Sequence, residues 1–288
     1  MATREKVSYA GTPQYENHAS SKLRRQHGCP MSYANQVTQQ SEQGLGSYLR
    51  YWRQQRGKSQ LDLSLDAGVS QRHISFVESG RSVPSRELLL VLAKTLDVPL
   101  REQNVLLLAS GYAPVYFESQ WDAPEMAVVT KVIDRMLQQH EPHPAMMMDR
   151  YWNVLKTNNA APQLFGSFVD LSLRSKPRNL LHLIFDPDGL RPFIEDWENV
   201  AAGLLQRVQR EAVGHVTDAR TRELLNGLKK YPGVAELSAP RKSQAPVLPI
   251  TFVRGSERYS YFSMISTVGL PQDITAQEFR IECMYPAE

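Results

Sequence analysis

The chain has 288 residues, 42% of them hydrophobic and 22% charged, a balance with core to bury that excludes a wholly disordered chain, a collagen repeat and a coiled-coil rod. Its 33 lysines and arginines against 30 acids leave a net charge of only +3, so bulk charge does not announce a nucleic-acid binder and local patterning has to decide. No apolar run reaches the roughly 18 residues of a membrane span, no apolar stretch marks a secretory leader, and the two cysteines, Cys29 and Cys283, stand far apart, which predicts a reduced, cytoplasmic protein without a bound metal.

Residues 1–43 are polar, rich in Gln, Ser, Asn and Tyr, and without sustained periodicity. Too little apolar surface is on offer there to offset the entropy of ordering, so a disordered tail is expected. Met31 is a second candidate start, because the stretch it opens runs straight into the first helical pattern. From 44 to 112 the pattern is helical with short joins. Leu45, Tyr48, Leu49 and Trp52 recur at i, i+3, i+4, i+7, and Gly57 offers a left-handed stop. Ser59 caps a second helix, with Asp62 placed for a capping box, and Gly68 ends it. Ser70 caps a third, with Ile74 and Val77 on its inner side. Pro84 and Ser85 start a fourth with a Leu88, Leu92, Leu96 stripe, and Pro99 with Glu102 opens a fifth that closes at Gly111. Five short helices predict a compact all-α domain.

Residues 113–125, with Pro114 and Pro124, read as a linker, and beyond it the character changes. A helix is expected over 127–137, strands within 145–155, and short helices over 160–168 and 179–185. A long amphipathic helix over 192–213 carries Phe193, Trp197, Val200, Leu204 and Val208 on one side, and another helix covers 218–230. Strands are expected over 247–253, 259–268 and 277–285. In the last, Phe279, Ile281, Cys283 and Tyr285 alternate with Arg280 and Glu282, the period of a half-buried strand. Strands at both ends with helices between predict an α+β domain over 126–288, built on an antiparallel sheet.

The informative stretch is GLGSYLRYWRQQRGKSQLDLSLDAGVSQRHISFVESGRSVPSRELLLVLAKTLDV. Two short helices meet at Gly68-Val69-Ser70, where a glycine turns the chain without a Cβ clash. Burial of Ile74 and Val77 forces Arg72, Ser75 and Ser79 outward, with Gln71 and Phe76 at the margins. Arg suits guanine O6/N7 and Gln suits adenine N6/N7. A basic run, Arg50, Arg53, Arg56 and Lys58, precedes them. The stretch resembles the phage-repressor, or xenobiotic-response-element (XRE), family of helix-turn-helix proteins. The features are Gln60 at the start of the second helix, Gly68-Val69-Ser70 in the turn, Ile74-Ser75 inside the third helix and Glu78-Ser79-Gly80 closing it. The resemblance implies that Gln60, Ser70 and Arg81 contact phosphates of double-stranded DNA, while Gln71, Arg72 and Phe76 face the major groove. It also implies a structural pair between Arg53 and Glu78. Ser64 stands where the family has alanine. Phe76 either meets a thymine methyl or folds back onto the protein.

The C-terminal half resembles the ligand-binding domain of MmyB-like transcription regulators. The matching blocks are DRYWNVLKTNNAA at 149–161, NLLHLIFDPDGLRPFIEDWENVA at 179–201 and GLPQDITAQEFRIECMYPAE at 269–288. The resemblance implies a PAS-like fold, a curved antiparallel sheet with flanking helices, and a long-chain fatty acid or similar apolar ligand. The residues themselves offer Met146, Met147 and Met148 as adaptable apolar side chains. Trp152, Phe165, Phe185, Phe193 and Trp197 serve as aromatic walls, or as plain core. Asn158 and Arg191 are candidates for holding a carboxylate head. Arg191 precedes a long helix whose N-terminus favours an anion; it alternatively anchors the turn at 186–189.

Enzyme signatures do badly. The chain has no phosphate-cradling glycine loop, no GxSxG and no HExxH, and His140 and His143 sit among prolines in a surface loop. The leading expectation is a homodimeric regulator that binds DNA without a cofactor and senses an apolar effector. The alternatives are a DNA-tethered enzyme acting on that lipid, or a regulator whose PAS-like domain binds a protein.

Overall fold

The computed structural model of the protein describes residues 44–213, 219–240, 247 and 249–287. The tail expected over 1–43 lies outside the described residues, as does Asp218 at the start of an expected helix. The N-terminal part is the five-helix unit: α1 (Leu45–Gln55), α2 (Gln60–Ala67), α3 (Gln71–Glu78), α4 (Arg86–Thr95) and α5 (Leu100–Ala109). Local chemistry sets its boundaries. Ser59 and Asp62 form a complete capping box at α2, which Gly68 ends at φ 67°. Ser70 and Ser85 cap α3 and α4 by accepting from the backbone N–H three residues on.

The core of this unit is the stripe Leu45, Tyr48, Leu49 and Trp52 packed on Leu63, Ile74 and Val77. Leu49, Leu63 and Ile74 are fully buried, each worth about 1.5–3 kcal/mol relative to exposure. On α4 the buried line is Leu89, Leu92 and Leu96, with Leu88 only half-buried. The periodicity expected at 88 is thus displaced by one residue.

The second part is α+β. After a 3-10 turn at Pro124–Met126 come α6 (Ala127–Gln139), β1 (Ala145–Met148), β2 (Val154–Thr157), α7 (Ala160–Gly166) and α8 (Leu180–Phe185). Then follow α9 (Trp197–Val213), α10 (Ala219–Leu228), β3 (Ile250–Arg254), β4 (Glu257–Ser266), α11 (Ile274–Glu278) and β5 (Arg280–Pro286). The five strands form one antiparallel sheet in the order β2-β1-β5-β4-β3.

Both faces of the sheet centre are covered. Met146, Met148, Met284 and Phe252 join α7, α8, α9 and α10 in the larger core. Ala145, Met147 and Ile281 pack on the other side against Ile133 and Leu137 of α6, with Phe279. A strand buried on both faces reads as a continuous apolar run, which is why residues 145–148 show no alternation. The same fact corrects the half-buried reading of the last strand. Ile281, Glu282 and Met284 are all buried, and Gln277 and Glu278 belong to α11, whose first turn Asp273 caps. The long helix starts at Trp197 rather than 192. Pro192 lies in a 3-10 turn, Ile194 makes an isolated bridge to Phe252, and Asp196 is left-handed at φ 47°.

The crossing between the two parts is tied down on both sides. Asn104 of α5 accepts from the backbone N–H of Val115 and Tyr116 and donates to Tyr116 O. Further on, Ser119 N–H donates to Asp273, and Thr275 Oγ1 donates to Ser119 O.

Candidate functional site

On the helical part, the exposed side of α3 carries Gln71, Arg72 and the half-buried Ser75 and Phe76, and Arg81 follows just after it. The Arg72 and Arg81 guanidinium groups lie over the Phe76 ring, at 5.1 and 5.8 Å from its centroid. Phe76 therefore packs under the two arginines. A cation over an aromatic face is held by about 0.5–1 kcal/mol at exposed sites, enough to bias both side chains toward the same face without locking them. Neither arginine has an acidic partner among the described residues.

The preceding basic run is spent differently. Arg53 donates to both Glu78 oxygens, Nε to Oε1 at 2.6 Å and Nη2 to Oε2 at 2.9 Å, which is the pair expected from the resemblance. Arg50 Nη2 donates to Glu78 O, Arg56 donates to Leu96 O and Asp97 O, and Lys58 pairs with Asp66. Those four cations brace the fold. Gln60 Nε2 also donates to Glu78 Oε2, at 2.9 Å, so the residue expected on a phosphate is held by the carboxylate. Ser70 Oγ accepts from His73 N–H, leaving its own hydroxyl hydrogen to donate.

Burial alone would favour neutral Glu78. The hydrogen bonds from Arg53 and Gln60, with the charges of Arg53 and Arg50, outweigh it and hold the carboxyl below its ordinary range.

In the sheet domain, a cavity of about 480 Å³ opens between β2, α7, α8 and the loop at 171–178. Of the expected ligand residues, Met146 and Phe165 line it, together with Val154, Leu171, Leu180 and Leu183. The exposed Lys176 and the half-buried Arg178 stand on its wall. Arg178 donates through Nε and Nη2 to Leu171 O, bracing the loop.

Met148, Trp152, Phe185 and Trp197 are buried in the core rather than on this cavity, and Met147 faces α6 on the other side of the sheet. Phe193 is half-buried against Phe168, with ring centroids 5.4 Å apart. Asn158 does not line the cavity. Its Oδ1 accepts from Ala145 N–H and Ala161 N–H, and its Nδ2 donates to His143 O, joining the start of β1 to α7. Arg191 donates to Pro232 O at 2.6 Å and lies 3.6 Å from the Trp197 ring centroid. The 186–189 turn is held instead by Arg174, which reaches Asp186 and Asp188 O. His140 Nε2 is 2.8 Å from Met284 O, a backbone partner.

The sequence reading missed Lys176, Arg178 and the loop that carries them. The only local signal was two cations flanking a proline just before the Asn179 cap.

An exposed arginine-bearing helix of a helix-turn-helix, fused to a sheet domain with an apolar cavity, defines a DNA-binding transcriptional regulator with a ligand-sensing domain. Residues 129–288, more than half of the chain, match the model of the MmyB-like transcription regulator ligand binding domain, and the chain belongs to that family. Residues 49–103 match a helix-turn-helix model. A comparison with curated proteins finds no match. Among the described residues no helix is long and apolar enough to cross a membrane.

Proposed function

We propose that the protein is a cytoplasmic, homodimeric, sequence-specific regulator whose sheet domain binds a long-chain fatty acid or a similar apolar ligand. The observation that carries this reading is the 480 Å³ cavity with its apolar walls. Its size falls within the range of small-molecule sites, and such sites pair apolar walls with a few placed polar groups. Gln71, Arg72 and Ser75 read base edges in this account, while Ser70 and Arg81 hold phosphates. A single recognition helix reads a few base pairs, so two copies spaced about one DNA turn, roughly 34 Å, supply the specificity.

A ligand changes operator affinity only through differential affinity for two arrangements of the protein. The test is operator titration with hexadecanoic acid and with butanoic acid. Hexadecanoic acid should shift the curve by roughly 5–150-fold, the range of a typical coupling free energy. Butanoic acid, which buries far fewer CH₂ groups, should not. Identical curves despite demonstrated occupancy by hexadecanoic acid sink the sensor reading.

A further inference from the structure

The face of the sheet that carries α6 is only half covered. Ile133 and Leu137 of α6 cluster with Ala145 and Met147 of β1 and Ile281 of β5. Phe262 and Met264 of β4 stand across from Tyr285 and Cys283 of β5, and Cys283 packs against the α6 cluster. These β4 side chains therefore share the face that α6 covers. Met264 is nevertheless 56% exposed and Tyr285 39%, with Phe262 half-buried and stacked on the Tyr285 ring. The cover stops at β5. The helix turns a matching side toward the bare strand. Ile133 points at the sheet, and Asp134 accepts from Lys156 of β2, at one edge of the strand order β2-β1-β5-β4-β3. At about 100° per residue, Val132 projects to the opposite side of the helix, toward β4. Val128 lies one turn before it. Val132 is 57% exposed and Val128 78%. Large apolar side chains left in water on a helix and on the strand beside it mark a contact surface.

We propose that a second copy of the chain docks on this surface, its α6 lying antiparallel beside the first and over β4. The inference rests on the homodimer reading above and gives it an interface. Charge complementarity carries it. Glu125, Val128, Val132 and Arg135 recur at i, i+3, i+7, i+10, the spacing of a coiled-coil seam. Glu125 and Arg135 are both exposed, and neither makes an ion pair among the described residues. In an antiparallel pair crossing at Thr130, Val128 faces the partner's Val132 and Glu125 faces the partner's Arg135. Two-fold symmetry makes each contact twice. Parallel packing would set Glu125 on the partner's Glu125 and Arg135 on the partner's Arg135, so the charges select the antiparallel arrangement. The partner helix then fills the step between α6 and β4, and Met264 and Tyr285 leave water. Asn104 of α5 holds the crossing that leads toward α6. Pairing at α6 thereby brings two helix-turn-helix units together, as an operator of two half-sites requires.

The experiment is sedimentation equilibrium of the full-length protein at low salt, where exposed charges are least screened. Wild type should dimerise. Glu125→Arg and Arg135→Glu each turn both cross-pairs into like charges, and each alone should raise the dimer dissociation constant about tenfold or more. Mixing the two single variants should bring it back toward the wild-type value, because in the mixed dimer both cross-pairs again join opposite charges. The double variant should dimerise with itself for the same reason. Damage to the fold is not repaired by mixing. Single variants that dimerise as tightly as wild type, or a mixture no tighter than its components, overturn the α6 interface and leave the homodimer reading intact. A wild-type chain that stays monomeric at concentrations saturating the operator overturns both, and leaves the face to another protein.

Discussion

Two arginines that lie over the same phenylalanine ring are assigned different tasks at the DNA. Arg72 sits in the first turn of α3, where a side chain reaches base edges, and Arg81 lies beyond its end. Arg72→Ala should cost about 1–3 kcal/mol at the specific operator and relax preference at one base position. Arg81→Ala should weaken all duplexes alike and lower the salt slope by roughly one counterion. Equal losses on operator and random DNA for Arg72→Ala would show that another face enters the groove. At Glu78 the expected effect is on stability. Its carboxyl is depressed in the folded state, so its contribution is fully present above the unfolded value near 4.5 and is lost as pH falls through the lower folded value. The helical domain of wild type should therefore lose stability in acid below about pH 4.5, and Glu78→Ala should remove that dependence. The same substitution leaves Arg53 buried without its partner, a loss of about 3–5 kcal/mol. Thermal melts across pH check both; an unchanged acid limb in the variant would assign the dependence to other carboxylates.

Between elements, α1 and α3 meet more closely than any side chain would allow. A Cβ built on Gly46 falls 2.4 Å from Glu78 O, inside contact distance with backbone that cannot swing away. Helix propensity favours Gly46→Ala by about 1 kcal/mol. The clash should win, costing about 1–3 kcal/mol net as α1 is pushed off α3. Gly44→Ala, at the cap with nothing within 4 Å, should cost less than about 1 kcal/mol. A melt in which Gly46→Ala is the more stable of the two would mean that α1 can shift freely. The helical elements were legible because their signals are local: Ser59, Ser70 and Ser85 are caps in the sequence as in the structure, and Gly68 turns where it is needed. The sheet domain was less so. Residues 145–148 lose their alternation through contacts on two faces that lie far away in sequence, and α11 hides inside an expected strand. Asn158 looks like a ligand contact until its three backbone partners are seen. Lys176 and Arg178 reach the cavity only because the loop at 171–178 folds back.

At the scale of the molecule, the two parts share one carboxylate. Glu278 of α11 accepts from Arg101 Nε and Nη2 of the DNA-binding domain, at 2.8 and 2.9 Å, and from Arg150 Nη1 of the sheet domain at 2.8 Å. Leu100 N–H donates to the adjacent Gln277. Burial works against a charged Glu278, but the two arginines outweigh it and keep its carboxyl below the ordinary range. Glu278→Gln keeps the shape and removes the shared charge, and should cost about 3–5 kcal/mol, the range for breaking a buried pair. Glu118→Gln, which cuts the more exposed contact of Arg101, should cost about 1 kcal/mol or less. The decisive measurement is operator titration with and without hexadecanoic acid. In Glu278→Gln the ligand should still bind and the free protein should still recognise the operator, but the ligand-dependent shift should shrink toward none, because the two sites no longer bias one rigid junction. A full shift in that variant would place the coupling elsewhere, as along the Asn104-held crossing.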